Sequence, residues 1–266
     1  PAQQAEVDAG APDPRLARTE VAVDFVNGAL PHFRRMHEMT VDHVHEEIQL
    51  LAIDLSTMLF ETMAQAPTWQ AYYRTHDQTP HYEYMKTVLK VMTFLRGGER
   101  WVLKSPQHLE QFGPLHTVFP DATYVVTHRD PVAVTISMAT MIAYGARTSV
   151  ERVDPAKLGR AWADRLELML QGCVRDRDLL PAGQTIDVHF DEFMADDLAM
   201  VARIYDLADQ PLDERARAAH RAYLDDHRRD RFGRVRYDLA DLGLDRADLE
   251  QSMAPYVARF GVTRET

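Results

Sequence analysis

The feature that most constrains the fold is residues 123–137, which read TYVVTHRDPVAVTIS. Residues 124–126 predict a short buried strand, and Asp130 followed by Pro131 is typical of a helix start, with an N-cap and then proline at the first position. Arg129 therefore lies where a strand ends and a helix begins, at the carboxyl edge of a parallel sheet. Open α/β sheets bind ligands at this edge. The alternative interpretation is an ordinary strand–helix corner with a surface arginine.

The chemistry of this corner suits a phosphate. A helix N-terminus offers free N–H groups and the positive end of the helix dipole, and an Arg guanidinium offers a planar fork. Ser137, further along the same helix, adds a hydroxyl donor. Residues 100–108 (RWVLKSPQH) predict a second short strand that ends at Lys104, followed by a helix capped by Ser105. A lysine and an arginine at one sheet edge would hold a polyanionic nucleotide.

Together these two segments resemble the sulfotransferases that use 3′-phosphoadenosine 5′-phosphosulfate. The resemblance is greatest to the bacterial-type branch with a W-x-L-K-S-P-x-H strand. It continues through Val188–Phe193 and Arg231–Leu244 and covers nearly the whole chain. It implies a helix-rich α/β fold similar to that of phosphate-loop nucleoside triphosphatases, with a parallel sheet flanked by helices. The implied activity is sulfuryl transfer to a hydroxyl or amine of a small, partly apolar acceptor, with adenosine 3′,5′-bisphosphate as product and no metal.

The resemblance also implies roles for individual residues. Lys104 matches the lysine that neutralises the leaving phosphate, and Arg129 and Ser137 match the pair that binds the 3′-phosphate. Phe190 stands where relatives often have a tyrosine near the adenine; its ring could stack there or belong to the core. The loop that closes over the phosphate and adenine is matched by Arg231, Phe232 and Gly233.

Two residues are candidates for the base that activates the acceptor. Glu46 precedes Lys104 at a spacing similar to that of the glutamate base in tyrosylprotein sulfotransferases, and Glu47 is a weaker match to the paired acids of this branch. His108 follows the lysine strand directly, and an unperturbed histidine titrates near pH 6.5. We favour Glu46 slightly. The alternatives are first-turn acids that stabilise a helix dipole and a solvent-facing or capping histidine.

Two other functions stay open at this point. One is a degenerate relative that binds the nucleotide without turnover, and the other is a kinase on the related phosphate-loop fold. A kinase needs a G-K-[ST] loop and an acidic magnesium ligand after a strand, for which only Asp191 qualifies. His43-x-His45-Glu46 invites a metal interpretation, but histidines at this spacing diverge on a helix, so we expect no metal site.

Composition limits the partners. The net charge of −11 argues against a nucleic-acid surface. Residues 227–236 are an arginine-rich exception, either a site for one anion or a solvated turn. The chain has no apolar run long enough to span a membrane, and its single cysteine, Cys173, can form no intramolecular disulfide. We expect a cytoplasmic protein, without stable membrane insertion, that acts on a small molecule and could form a homodimer.

We expect one domain over residues 1–266: an irregular segment 1–14, a helical acceptor-side region 15–98, a cofactor-binding core 99–193, and C-terminal helices with the closing loop at 194–266. Strands are predicted at 101–104, 123–127 and 185–190. The predicted helices are 16–35, 44–65, 69–75, 80–96, 107–117, 131–144, 155–178, 196–207, 212–226 and 246–259.

One element of the family is missing from this sequence. Such sulfotransferases begin with a strand and a P-R-[ST]-G-[ST]-T loop around the 5′-phosphosulfate, and no such loop occurs in these 266 residues. We therefore expect the natural protein to possess a further N-terminal strand, loop and helix.

Overall fold

The computed structural model describes residue 5, residues 7–228 and residues 231–265. Within them the sheet is parallel and consists of β1 (Tyr124–His128) and β2 (Thr185–His189), with Tyr124 opposite Thr185 and His128 opposite His189. Both strands therefore end at the same edge. Parallel strands need a crossover connection, and the helices between β1 and β2 supply it.

Helices surround this small sheet and form most of the protein. Before β1 they are α1 (Pro14–Ala29), α2 (Ile48–Ile53), α3 (Leu59–Met63), α4 (Pro67–Thr75), α5 (Thr79–Arg96) and α6 (Phe112–Val118). Between the strands they are α7 (Pro131–Gly145) and α8 (Pro155–Asp176). After β2 they are α9 (Phe190–Ala195), α10 (Asp197–Leu207), α11 (Glu214–Asp226), α12 (Arg246–Ser252) and α13 (Ala254–Phe260). Short 3₁₀ turns include Phe33–Arg35, Pro106–Glu110 and Ala240–Leu242. The predicted fold class, a helix-rich α/β protein with a parallel sheet, is confirmed.

The core lies mainly between α7 and α8. Apolar side chains of both helices pack with α2, α3, α12 and the 240–242 turn, among them Ile136, Ala139, Trp162 and Met169. A second apolar cluster joins the sheet to α6, α8 and α13. Its members include Tyr124, Val126, Phe112, Cys173 and Tyr256. The second cluster thus packs β1 against α6, α8 and α13.

Five predicted elements are wrong. The predicted helix 16–35 ends at Ala29, and the predicted helix 107–117 divides at Gln111 into the 3₁₀ turn Pro106–Glu110 and α6. Residues 101–104 form no strand, because no described strand lies beside them to pair with their backbone; Val102 is 93% exposed. The predicted helix 44–65 begins only at Ile48 and divides after Ile53, since Leu55 has a positive φ of 58° that a helix does not accommodate. The predicted helix 246–259 divides at Met253, where α13 starts with proline at its second position.

Candidate active site

Arg129 lies between two regular elements. The last residue of β1 precedes it, and Asp130 caps α7 by accepting a hydrogen bond from the backbone N–H of Val132 at 3.0 Å. The guanidinium of Arg129 donates two hydrogen bonds to the carboxylate of Glu265, at 2.6 and 2.9 Å. The same group lies 4.3 Å from the centre of the Phe190 ring, a cation–π contact. The arginine fork is therefore oriented by its backbone and already binds an oxyanion.

Ser137 belongs to the same neighbourhood. Its hydroxyl donates to the hydroxyl of Tyr237 at 3.3 Å. Tyr237 is close to Arg129 in turn. The pKa of Arg129 is raised first by its hydrogen bond with Glu265, in opposition to burial, and to a smaller extent by the charge of Glu265 and by electrostatic interaction with Tyr237. We call Arg129, Ser137, Phe190, Tyr237 and Glu265 the Arg129 site; the structure places the three residues predicted there near one another.

A hydrogen-bond network next to the Arg129 site connects the carboxyl ends of β1 and β2. His128, buried in β1, has its Nε2 at 2.8 Å from Asp187 of β2 and its Nδ1 at 2.8 Å from the hydroxyl of Tyr256. Arg177 donates to both oxygens of Asp187, at 3.0 and 2.6 Å. Burial lowers the pKa of His128, although the hydrogen bond and charge of Asp187 oppose this. The network therefore links the two strands at His128, the residue that precedes Arg129.

Lys104 is positioned in another way. It ends a segment without regular secondary structure, and its backbone N–H donates to Oε2 of Glu47 at 2.6 Å. Its ammonium group forms an ion pair with Glu46, whose side chain is 24% exposed, while that of Lys104 is 73% exposed. The structure thus joins the predicted leaving-group cation to the predicted base. We call Lys104, Glu46, Glu47, His108 and Tyr82 the Lys104 site.

His108 and Glu47 form the buried side of this site. Oε1 of Glu47 contacts Nε2 of His108, and Nδ1 of His108 lies 2.7 Å from the hydroxyl of Tyr82. A carboxylate accepts, so Nε2 bears a proton, and in the neutral ring Nδ1 accepts from Tyr82. Burial alone would raise the pKa of Glu47, but the hydrogen bond and charge of His108 and the Lys104 N–H outweigh it and lower the pKa. Both nitrogens of His108 are engaged, whereas Glu46 is accessible.

A buried ion cluster supports the turn that contains His108. Arg165 of α8, 2% exposed, donates to Glu61 at 2.6 Å and to both oxygens of Glu110 at 2.8 and 2.5 Å. Glu110 ends the 106–110 turn. Gly172 lets α8 approach closely, since a Cβ there would lie 3.0 Å from Cβ of Glu110. The cluster therefore fixes the turn after Lys104 to the central helix α8.

The residues of the predicted closing loop contact Asp226 and the segment 34–38. Arg231 pairs with Glu38 and donates to the backbone oxygen of Asp226 at 3.0 Å. The centre of the Phe232 ring is 5.2 Å from the guanidinium of Arg34 and 4.9 Å from that of Arg231. Gly233 adopts a φ of +89°, a conformation that favours glycine. Within the arginine-rich segment, Arg236 lines an open cavity of about 490 Å³ beside α7, and Arg229 lies outside the described residues.

The two histidines considered for metal binding, His43 and His45, form an aromatic cluster together with His37. The rings of His37 and His43 are 6.2 Å apart, and those of His43 and His45 are 5.7 Å apart, measured between centroids. In the described part of the chain, no group of three or more His, Cys, Asp or Glu side chains has the arrangement of a metal site. Nor does any helix there combine the length and apolar composition needed to cross a bilayer.

The architecture defines the class, a helix-rich α/β protein with an arginine at the carboxyl edge of a parallel sheet. The sequence matches the model of the sulfotransferase family over residues 4–214, and the chain belongs to that family. It is similar in structure to sulfotransferase STF9 from Mycobacterium avium, with a TM-score of 0.74 and 24% identity over 90% of this chain and 64% of that one. It is also similar to sulfotransferase STF1 from Mycobacterium tuberculosis, with a TM-score of 0.75 and 25% identity over 91% of this chain and 62% of that one. This chain therefore spans just under two thirds of either structure, and a search of curated proteins found no match.

Proposed function

We propose that the protein transfers a sulfuryl group from 3′-phosphoadenosine 5′-phosphosulfate to a hydroxyl or amine of a small, partly apolar acceptor. Membership of the sulfotransferase family supports this proposal. The observation on which it mainly rests is the bidentate contact of Arg129 with a carboxylate at the junction of β1 and α7. A guanidinium fork binds carboxylate and phosphate in similar ways, so the side chain has the orientation that a phosphate requires.

In this proposal the Arg129 site binds the 3′-phosphate end of the nucleotide. Arg129 contributes charge and two N–H donors, Ser137 a hydroxyl, and the start of α7 the positive end of a helix dipole. The ring of Phe190 offers a face for the adenine next to the guanidinium. Arg231 would join the site only by leaving Glu38, so closure of the 231–233 loop would exchange one anionic partner for another.

The Lys104 site would perform the transfer. The acceptor oxygen attacks sulfur as the bond from sulfur to the bridging oxygen of the donor breaks, and the acceptor proton passes to Glu46. Charge grows on the departing bridging oxygen, and Lys104 neutralises it; preorganised charge of this kind is a large part of catalysis in group transfer. His108 and Glu47, held by each other and by Tyr82, position Lys104. The ion pair of Lys104 with Glu46 must open for both residues to act.

A product assay tests the activity. Full-length protein, incubated with the donor and a panel of hydroxylated and aminated small molecules, should give a sulfated product detectable by mass spectrometry. Lys104→Ala should lower the rate at least about 10²-fold, the usual loss for one electrostatic stabiliser of the transition state. Tight binding of adenosine 3′,5′-bisphosphate without any product from the panel would instead favour a binding protein without turnover.

A further inference from the structure

The C-terminal segment of the chain crosses the carboxyl edge of the sheet. Val262 is 7% exposed and packs in the sheet-side core. The hydroxyl of Thr263 donates to Asp191, in the first turn of α9 after β2, at 2.7 Å. The backbone N–H of Glu265 donates to Oδ2 of Asp130, the N-cap of α7 after β1, at 2.8 Å. The segment is thus hydrogen-bonded to residues that follow the carboxyl ends of both strands, where a nucleotide would bind.

This segment brings its own anion to the site. Nε and Nη2 of Arg129 donate to the two oxygens of Glu265, and these two N–H groups form one edge of the fork. A phosphate bound side-on would use the same pair of donors. One edge cannot hold a carboxylate and a phosphate together, since each N–H points at a single oxygen and two adjacent anions repel. Occupancy of this edge by Glu265 and occupancy of the same edge by a phosphate therefore exclude each other.

We propose that Glu265 is an internal competitor: its carboxylate occupies the phosphate position of the Arg129 site, and a nucleotide 3′-phosphate binds by displacing it. This inference rests on the proposed function, which assigns that phosphate to Arg129. Displacement requires no unfolding, because Val262 and Thr263 retain their anchors when Glu265 leaves. The C-terminal segment acts as a weak autoinhibitory latch that opens as the nucleotide enters.

The size of the effect follows from exposure. The side chains of Arg129 and Glu265 are 37% and 36% exposed, so water screens their attraction. Partly exposed ion pairs are modest in strength, and we expect removal of the competitor to tighten binding by about threefold to tenfold. A latch of this strength biases the free protein without preventing binding at moderate nucleotide concentration.

Calorimetry on the full-length protein tests the latch. Glu265→Gln preserves shape and removes charge, and it should bind adenosine 3′,5′-bisphosphate about three to ten times more tightly than the wild type. Adenosine 5′-monophosphate, which lacks the 3′-phosphate, should bind both proteins equally. Glu250→Gln is the matched control, since Glu250 pairs with Arg246 and Arg264 near the same segment and should leave both affinities unchanged. Hydrogen exchange should also show that the bisphosphate exposes the amide of Glu265.

The possible outcomes distinguish failure of the latch proposal from failure of the nucleotide-site assignment on which it rests. If Glu265→Gln binds the bisphosphate no more tightly than wild type while Arg129→Ala loses affinity, the nucleotide site stands and the latch is refuted. Weaker binding by Glu265→Gln would make Glu265 part of the site and would also refute the latch. If Arg129→Ala binds as the wild type does, Arg129 holds no phosphate, and the latch falls together with the assignment of this site.

Discussion

The Arg129 site and the Lys104 site are held by different kinds of interaction. Arg129 follows a hydrogen-bonded strand and precedes a capped helix, so its backbone is set by residues adjacent in sequence. Lys104 ends a segment with no strand partner among the described residues, and its backbone N–H donates a hydrogen bond to Glu47, 57 positions away. Secondary structure positions one cation, and long-range side-chain contacts position the other.

The contrast shows where each site is vulnerable. The Arg129 site depends mainly on the backbone hydrogen bonds of β1 and α7 and on the packed core. The Lys104 site depends on a few carboxylates, and a buried donor whose acceptor is removed costs its full desolvation free energy. Substitutions at charged residues should therefore separate the two sites, with larger structural effects near Lys104.

The largest expected effect concerns the base. Glu46→Gln should lower kcat by roughly 10²–10⁴ because the acceptor proton then has no carboxylate to receive it. The affinity for adenosine 3′,5′-bisphosphate should be nearly unchanged, since the Arg129 site is intact. Steady-state kinetics with one acceptor and calorimetry with the bisphosphate measure the two quantities.

His108→Ala provides the comparison for Glu46. Both ring nitrogens of His108 have partners, so its loss should reduce kcat less than Glu46→Gln does. Normal turnover by Glu46→Gln together with an inactive His108→Ala would reverse the two roles.

The next effect is on folding. Glu47→Ala removes the acceptor of two donors, the His108 ring and the Lys104 N–H, and should lower the free energy of unfolding by about 1–3 kcal/mol. Its less buried neighbour is the control: Glu46→Ala removes an ion pair with the exposed Lys104 ammonium group and should cost less than about 1 kcal/mol. Urea unfolding followed by circular dichroism gives both values. Equal losses would mean that the buried carboxylate does not organise the Lys104 site.

A smaller change is expected at the start of α7. Asp130→Ala removes the N-cap of that helix and should cost about 1 kcal/mol of unfolding free energy, the usual value for a lost cap. Asp130→Asn, which retains a capping oxygen, should recover most of it. If alanine and asparagine are equally destabilising in urea unfolding, the cap contributes little and β1 and the core alone position Arg129.

The smallest effect is a pH dependence specific to the Lys104 site. The pKa of Glu47 is lowered in the folded protein, so its contribution to stability is present above the unfolded value of about 4.5 and is lost as the pH falls below it. Urea unfolding between pH 6 and pH 3.5 should show a shallower acid loss for Glu47→Gln than for the wild type. Parallel curves would show that Glu47 titrates in the folded protein as it does in the unfolded chain.

The same contrast explains what could be predicted from the sequence. The strand, the cap and the helix around Arg129 can be predicted from neighbouring residues, and the predicted strand 123–127 starts and ends only one position before β1. Residues 101–104 have the composition of a strand, but a strand also needs a partner, which composition does not reveal. Tyr82, Tyr237 and Glu265 were missed because each contacts its site across 26 to 136 positions, with no local pattern to indicate it.

The most direct test of the central claim, that Arg129 binds the 3′-phosphate, is a cycle of four affinities. Calorimetry would compare adenosine 3′,5′-bisphosphate with adenosine 5′-monophosphate on full-length wild type and on Arg129→Ala. The substitution should weaken bisphosphate binding by about 2–4 kcal/mol, the cost of losing a charged hydrogen-bonded contact, and leave the monophosphate affinity unchanged. Equal weakening of the two ligands, or no weakening of either, would contradict the claim.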